Sequence, residues 1–213
     1  MKIYYESLDG SRFSLLKKLK MLGKNFYLAG GTGLALQLGH RISEDFDFFT
    51  HKKFDNINLF DRLKELLPEF ILSIIQAEEN TLTIMINNEV KSSFFKVGYE
   101  NLLTLVTTEY VQIAQVKEIG VMKLLALTRA LYKDYVDLYF ILQEYPLEDL
   151  ISLAKKKHPE FQESIYLKCL LSYHDVEKIP VVYMPGKEIS PVEVFKFIEM
   201  TTVKFLDKKD RGK

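Results

Sequence analysis

The sequence predicts an α+β fold, with a mixed N-terminal part over residues 1–108 and a helical C-terminal part over residues 109–213. Two observations support this prediction. Short runs with the period of a strand alternate with helical segments before residue 108, whereas helical periods alone follow it. A glycine turn between an apolar run and a helical segment adds a strand–turn–helix unit near the start of the chain.

The first predicted elements lie between residues 11 and 67. Residues 11–22 place leucines at helical spacing with lysines between them, and residues 26–29 form a short apolar run typical of a buried strand. Glycines follow this run directly, and residues 34–38 are predicted to form a helix. Residues 45–49 alternate acidic and aromatic side chains, which is the period of a strand. Residues 56–67 form an amphipathic helix that Pro68 ends.

Three strands and five helices are predicted farther along. Short polar gaps separate residues 70–76, 81–87 and 90–97, so these strands are expected to pair as an antiparallel meander. The predicted helices cover residues 116–131, 134–144, 147–157, 160–172 and 191–205. The charged tail at 207–213 is expected to fray.

Composition limits the classes of function. The chain has 213 residues, with 29 basic and 29 acidic side chains and a formal net charge of zero, which argues against coating nucleic acid by charge alone. Each half is balanced too, with 13 of each sign in residues 1–108 and 16 of each in residues 109–213. The single cysteine, Cys169, excludes an internal disulfide and a thiolate zinc site. No apolar run approaches the roughly 18 residues that span a membrane, so a cytoplasmic protein is expected.

A Gly-Gly-Thr segment follows the first predicted strand. Gly30 and Gly31 allow close approach of the backbone to a ligand, and Thr32 adds a hydroxyl near a helix N-terminus, where free N–H groups favour phosphate. Taken alone, the segment is more typical of a tight strand-to-helix turn with a threonine cap.

Two aspartates follow the Gly-Gly-Thr segment by about a dozen residues. Asp45 and Asp47 project from the same face of a strand, where two carboxylates repel each other unless they share a cation. Hard oxygen ligands suit Mg²⁺ (or Mn²⁺), which also binds substrate phosphates. Phe46 and Phe48 are expected to point the other way, into a core. The alternative is a solvated acidic strand end.

The spacing Gly-Gly-Thr … Asp-x-Asp resembles the signature of the DNA polymerase beta-like nucleotidyltransferase superfamily. The fuller string Gly-Gly-Thr … Gly-His-Arg-x-Ser-x-Asp-x-Asp-Phe-Phe looks like the AbiEii/AbiGii toxin family of nucleotidyltransferase-like proteins. Three downstream segments agree with that family, in order: residues 90–95, residues 121–126 and residues 129–139. The resemblance implies a polymerase beta-like sheet flanked by helices and followed by a helical part.

The resemblance also implies residue roles. The Gly30–Gly31 backbone and Thr32 would hold a triphosphate, and Asp45 and Asp47 would bind the catalytic metal. Lys123 would contact substrate phosphate, and Asp134 and Asp137 would supply a later acidic pair.

Geometry qualifies some of these roles. Asp134 lies 11 residues after Lys123, about three helical turns, so the two side chains meet only if the helix bends, and a break near residues 131–133 would allow it. Alternatively, Lys123 is a surface lysine, and Asp134 is a helix N-cap with Asp137 in the first turn. Arg41 contacts phosphate or neutralises the aspartate pair. Ser43 is a further nucleotide contact or caps the loop.

The resemblance implies a Mg²⁺-dependent nucleotidyltransferase that moves a nucleoside monophosphate from a nucleoside triphosphate to an RNA or protein hydroxyl. It would be the toxin of a type IV-like toxin–antitoxin or abortive infection system, with transfer RNA as a candidate acceptor and an antitoxin protein as a partner. One departure stands out: polymerase beta-like enzymes usually bring a third carboxylate near Ser92–Phe94 of this chain, which has none there. The alternative function is therefore a catalytically weak nucleotide- or partner-binding module that retains the fold.

Overall fold

The structure is a computed structural model that describes residues 2–173, 176–177 and 179–211. It divides into two compact units, Met1–Gln115 and Val116–Lys213. The sequence places a boundary at 108–109, and the assignment of two domains with that boundary stays a prediction.

The first unit is built on one seven-stranded sheet with the strand order β3-β4-β5-β2-β1-β7-β6. The strands are β1 (Tyr27–Ala29), β2 (Phe46–Thr50), β3 (Leu72–Glu78), β4 (Thr81–Ile86), β5 (Val90–Lys96), β6 (Val106–Thr107) and β7 (Gln112–Ile113). The meander predicted for β3, β4 and β5 is confirmed, since β4 pairs antiparallel with both neighbours. The α+β class with a polymerase beta-like sheet is likewise confirmed.

Pairing at the centre of the sheet determines which side chains become neighbours. Strand β2 runs antiparallel to β1 and parallel to β5. Asp47 is therefore opposite Ala29 on one side and Ser93 on the other. Phe46 and Phe48 are buried in the core, as their alternation with the aspartates predicts, and the Phe48 ring stacks on Phe94 with centroids 5.2 Å apart.

Three α-helices accompany the sheet: α1 (Gly10–Leu19), α2 (Gly30–Leu38) and α3 (Asn56–Leu66). The Asp9 side chain caps α1 by accepting a hydrogen bond from the Arg12 N–H. The chain then continues as a 3₁₀ helix over Lys20–Asn25, so the α-helix predicted to reach residue 22 ends earlier. Helix α2 ends at Gly39, whose φ of 58° is the left-handed conformation common after a helix.

The second unit is helical, with α4 (Val116–Ala126), α5 (Tyr132–Glu144), α6 (Leu147–Lys157), α7 (Glu163–Leu171) and α8 (Pro191–Arg211). The single helix predicted over residues 116–131 is wrong. Helix α4 ends at Ala126, a 3₁₀ turn covers Leu127–Arg129, and Ala130 has a φ of 52°. The predicted fraying from residue 207 is also wrong as far as Arg211, because α8 continues to that residue, while residues 212 and 213 lie outside the described ranges.

Within the described ranges, no helix combines the length and the apolar character needed to cross a lipid bilayer.

Candidate active site

The Gly-Gly-Thr segment forms the first turn of α2, because the helix begins at Gly30 directly after β1. Gly30 has a φ of 62°, and a Cβ atom there would lie 2.5 Å from Oδ2 of Asp47. Only glycine meets both conditions without strain. Ala29, at the N-cap position, has no side chain that caps this helix, and a helix N-terminus favours an anion.

Gly31 likewise allows a close approach, here between the helix backbone and the side chains of Arg41 and Ser43. A Cβ atom at Gly31 would lie 2.5 Å from Nη2 of Arg41 and 3.2 Å from Oγ of Ser43. Arg41 is buried, and its Nη1 donates a hydrogen bond of 3.0 Å to the carbonyl of Ile42. The guanidinium is thereby held beside the backbone of the helix N-terminus, where it adds positive charge to the helix dipole.

Thr32 joins the helix to the loop that carries the aspartates. Its side chain is buried, and its Oγ1 lies 2.8 Å from Oγ of Ser43. The same hydroxyl donates a hydrogen bond to the backbone carbonyl of Asp45. Thr32 and Ser43 therefore fix the loop just before β2 relative to α2.

The two aspartates differ in their surroundings. Asp47 lies on β2 between Ala29 and Ser93 of the neighbouring strands. Asp45 lies one residue before β2, and its carboxylate is 37% exposed and forms a 3.0 Å ion pair with Nζ of Lys91 on β5. The structure thus gives Asp45 a lysine partner that the sequence did not predict, in addition to the candidate Arg41.

Asp45 and Asp47 are the two carboxylates that this cluster offers to a metal ion. Ser93 is in register with Asp47 where a third acid was sought, and no group of three His, Cys, Asp or Glu side chains suited to a metal occurs in residues 2–173, 176–177 and 179–211. Glu89, the nearest alternative in sequence, pairs with Arg12 at 3.3 Å. Two hard oxygen donors still fit Mg²⁺, which commonly takes one or two carboxylates and completes its shell with water and substrate phosphates.

The second unit brings three other predicted residues together. Nζ of Lys123 on α4 lies 2.7 Å from Oδ1 of Asp134 and 2.6 Å from Oδ2 of Asp137 on α5, and all three side chains are buried. The break at Ala130 makes this contact possible, near the place that the 11-residue spacing predicted. Arg129, whose side chain is 55% exposed, adds a 2.8 Å ion pair to Asp134.

The alternative interpretations of these residues are wrong. Lys123 is buried rather than on the surface. The N-cap position of α5 is Leu131, and the Asp134 side chain binds Lys123 and Arg129 instead of the helix backbone.

The predicted site residues therefore form two clusters, each inside one unit. The first unit holds Gly30, Gly31, Thr32, Arg41, Ser43, Asp45 and Asp47, and the second holds Lys123, Asp134 and Asp137. Sequence reasoning missed Lys91. The alternation of β5 places Lys91 and Ser93 on one face, but only the parallel pairing of β5 with β2 puts that face beside the aspartates.

Comparisons with known proteins indicate the family of the chain. A family model described as "Nucleotidyl transferase AbiEii toxin, Type IV TA system" matches residues 15–110, which include the whole cluster of the first unit. An uncharacterized protein of Aquifex aeolicus (strain VF5), aq_aa25, is 34% identical over 172 residues, covering 76% of this chain and 82% of its own length.

Two solved structures share the fold. A candidate nucleotidyltransferase from H. pylori matches with a TM-score of 0.63 at 19% identity, over 95% of this chain and 96% of its own. JHP933 from Helicobacter pylori matches with a TM-score of 0.61 at 20% identity, over 99% of this chain and 97% of its own. Because both identities are below 25%, this likeness shows the fold alone.

Proposed function

The chain belongs to the AbiEii family of nucleotidyl transferase toxins, and from that membership we propose that it transfers a nucleoside monophosphate from a nucleoside triphosphate to a hydroxyl group of RNA or protein. Nucleotidyl transfer and the toxin role in a type IV toxin–antitoxin system are those of the family, and they imply a triphosphate substrate and an antitoxin partner. The acceptor, with transfer RNA as a candidate, and a cytoplasmic location stay predictions.

The observation that supports this proposal best is the contact between Gly30 and Asp47. Gly30 begins a helix whose N-terminus attracts phosphate, and a Cβ atom on Gly30 would lie 2.5 Å from Oδ2 of Asp47. The helix N-terminus is therefore next to a carboxylate that can bind a cation. A nucleoside triphosphate bound with a divalent cation needs these two features side by side.

Each residue of the first cluster then has a role in binding. Asp45 and Asp47 hold a divalent cation, Mg²⁺ or Mn²⁺, which when bound neutralises charge on the phosphoryl oxygens. The N–H groups at Gly30 and Gly31 and the guanidinium of Arg41 contact the phosphates, while Thr32 and Ser43 keep the aspartate loop in place. The acceptor hydroxyl gives its proton to water as its oxygen attacks the α-phosphorus, the bond from that phosphorus to the bridging oxygen breaks, and pyrophosphate leaves.

In this proposal Lys123 of the second cluster contacts substrate phosphate, and Asp134 and Asp137 are its acidic partners. An ammonium group has three donors, and two of them face the carboxylates here. Arg129 is an exposed cation of this cluster, and with it the formal charge of the two aspartates and the two cations is zero.

A second candidate function rests on one observation, the serine in register with Asp47. Ser93 cannot act as a carboxylate base or bind a second cation as an acid would. A protein with this site that binds nucleotide and metal without transferring the nucleotide would be a binding module that retains the fold.

Incubation with each labelled nucleoside triphosphate, Mg²⁺ or Mn²⁺, and bulk RNA or protein tests the proposal. We expect label in a macromolecular product, and we expect Asp45→Ala and Asp47→Ala to lower its rate by about 100-fold or more, because the cation supplies several kcal/mol of charge stabilisation. Asp61→Ala, which removes an exposed aspartate on α3, is the matched control and is expected to retain full activity.

Three outcomes are distinguishable. Transfer that the two active-site variants abolish supports the enzyme. Nucleotide binding that depends on Asp45 and Asp47, without transfer to any acceptor, supports the binding module. Transfer that survives both substitutions contradicts the assignment of the site.

A further inference from the structure

We propose that Lys91 exchanges partners in the active site: it is the counterion of Asp45 before ligands bind, and it becomes a phosphate ligand when metal and nucleotide enter. This inference rests on the proposed function and adds a residue to it. It begins from the 3.0 Å ion pair between Nζ of Lys91 and Oδ2 of Asp45.

The position of Lys91 follows from the pairing of β2 and β5. The parallel register sets Phe46 opposite Ser92 and Asp47 opposite Ser93, so one step back along both strands sets Asp45 beside Lys91. Side chains two residues apart on a strand share a face, so one face carries Asp47 of β2 and Lys91 and Ser93 of β5, and Asp45, one residue before β2, contacts it through the ion pair with Lys91. The lysine thus lies on the cation-binding face itself.

The pair is exposed enough to separate. The side chain of Lys91 is 45% exposed and that of Asp45 is 37% exposed, unlike the ion pairs of Lys123. An exposed pair of this kind is weak, so a divalent cation can displace the ammonium from the carboxylate. The four-carbon stem of lysine lets the ammonium move while the strand stays in place.

Charge explains where the ammonium goes. Asp45 and Asp47 with Arg41 and Lys91 carry a formal net charge of zero before ligands bind, which limits repulsion in the free protein. A divalent cation changes this net charge to +2 and releases Lys91 from Asp45. The released ammonium then lies beside bound phosphates, with which it forms a charge-assisted hydrogen bond.

Substitution of Lys91 is therefore expected to change two affinities in opposite directions. In Lys91→Met the competitor for Asp45 is gone, so the affinity for Mn²⁺ alone rises about 2–5-fold, the equivalent of a half-exposed ion pair. The affinity for nucleotide in the presence of Mg²⁺ falls about tenfold, because a hydrogen bond to a charged phosphate is lost.

The probes are Mn²⁺ alone, followed by the spectroscopic signal of the free ion, and the α,β-methylene analogues of the four nucleoside triphosphates with Mg²⁺, followed by calorimetry. These analogues bind without reacting, because the bond that would release pyrophosphate is replaced. The matched control is Lys64→Met, which removes a lysine from another exposed lysine–aspartate pair, 2.9 Å from Asp61 on α3. We expect that control to leave both affinities unchanged.

Only the pair of opposite shifts supports the exchange. A rise in Mn²⁺ affinity with unchanged nucleotide affinity would show a counterion and no phosphate ligand, and a fall in both, or no change, would likewise overturn the inference.

Failure of the proposed function gives a different result. In that case Asp45→Asn and Asp47→Asn leave the binding of Mn²⁺ and of the analogues unchanged, or the wild-type protein binds neither, and both proposals fall together. Binding that depends on both aspartates but not on Lys91 overturns the exchange alone.

Discussion

The two clusters use the same kinds of side chain in opposite environments. Asp45 and Lys91 in the first unit form one exposed pair, whereas Lys123 in the second unit lies between Asp134 and Asp137 with all three side chains buried. Water weakens the first interaction and makes it exchangeable. Burial makes the second costly to disrupt, because a carboxylate left without its cation cannot be solvated.

This difference separates an ion pair that can exchange its partner from one that stays in place. A group that must release its partner to receive a ligand has to be paired weakly, and the Asp45–Lys91 pair meets that condition. A group whose partners stay in place can fix the geometry of a turn, and Lys123 does so by tying α4 to α5 across the break at Ala130.

The largest effect expected from this comparison is on stability. Lys123→Met leaves two buried aspartates without their shared cation and should lower the free energy of unfolding by about 3–5 kcal/mol. Lys91→Met is the matched substitution in the exposed pair and should lower it by less than about 1 kcal/mol. Urea denaturation followed by circular dichroism measures both values. Equal losses in the two variants would remove the distinction between the clusters.

A smaller effect is expected from the glycine that contacts Asp47. Gly30→Ala places a side chain in the left-handed region at a φ of 62°, which costs about 1–2 kcal/mol, and its Cβ atom displaces the Asp47 carboxylate. We therefore expect both lower stability and weaker Mn²⁺ binding.

The control for this substitution is Gly98→Ala, since a Cβ atom at Gly98 would meet nothing within 4 Å and no positive φ is involved. If Gly30→Ala bound Mn²⁺ as the wild-type protein does, the contact between the helix N-terminus and Asp47 would not position the carboxylate.

Local patterns explain which parts of this site the sequence predicts. Asp45 and Asp47 are recognisable because a strand alternates its faces over two residues, and the Phe46 and Phe48 side chains confirm that alternation. The bend after Lys123 is predictable because Asp134 lies 11 residues later, about three helical turns away. On a straight helix the two side chains could not meet. Both inferences use neighbours in the chain.

Contacts between distant segments explain what the sequence did not predict. The partner of Asp45 depends on the pairing of β2 with β5, and α3, β3 and β4 all lie between those strands in the chain. The buried ion pair between Glu118 on α4 and Lys157 on α6 joins residues 39 positions apart, with no local pattern to mark it. Strands β6 and β7 have two residues each, too few to show a period.

The smallest expected effect is on the pH dependence of stability, and it comes from a histidine next to a buried ion pair of the second unit. Burial lowers the pKa of His158 below its ordinary value of 6.5, the ammonium of Lys157 lowers it further, and Glu118 opposes them. The unfolded chain then takes up a proton at this residue at a higher pH than the folded protein does. The free energy of unfolding should therefore fall as the pH drops from 7.5 to 5.5, passing the unfolded pKa of about 6.5.

His158→Gln removes this titration and should make stability less dependent on pH over that range, with urea denaturation at both values as the measurement. His51→Gln is the control, because His51 is an exposed histidine in the first unit. If the two variants changed the pH dependence equally, the environment of the buried Glu118–Lys157 pair would not act on His158. A change confined to His158→Gln would extend the contrast between exposed and buried charge to a third position, one outside both candidate site clusters.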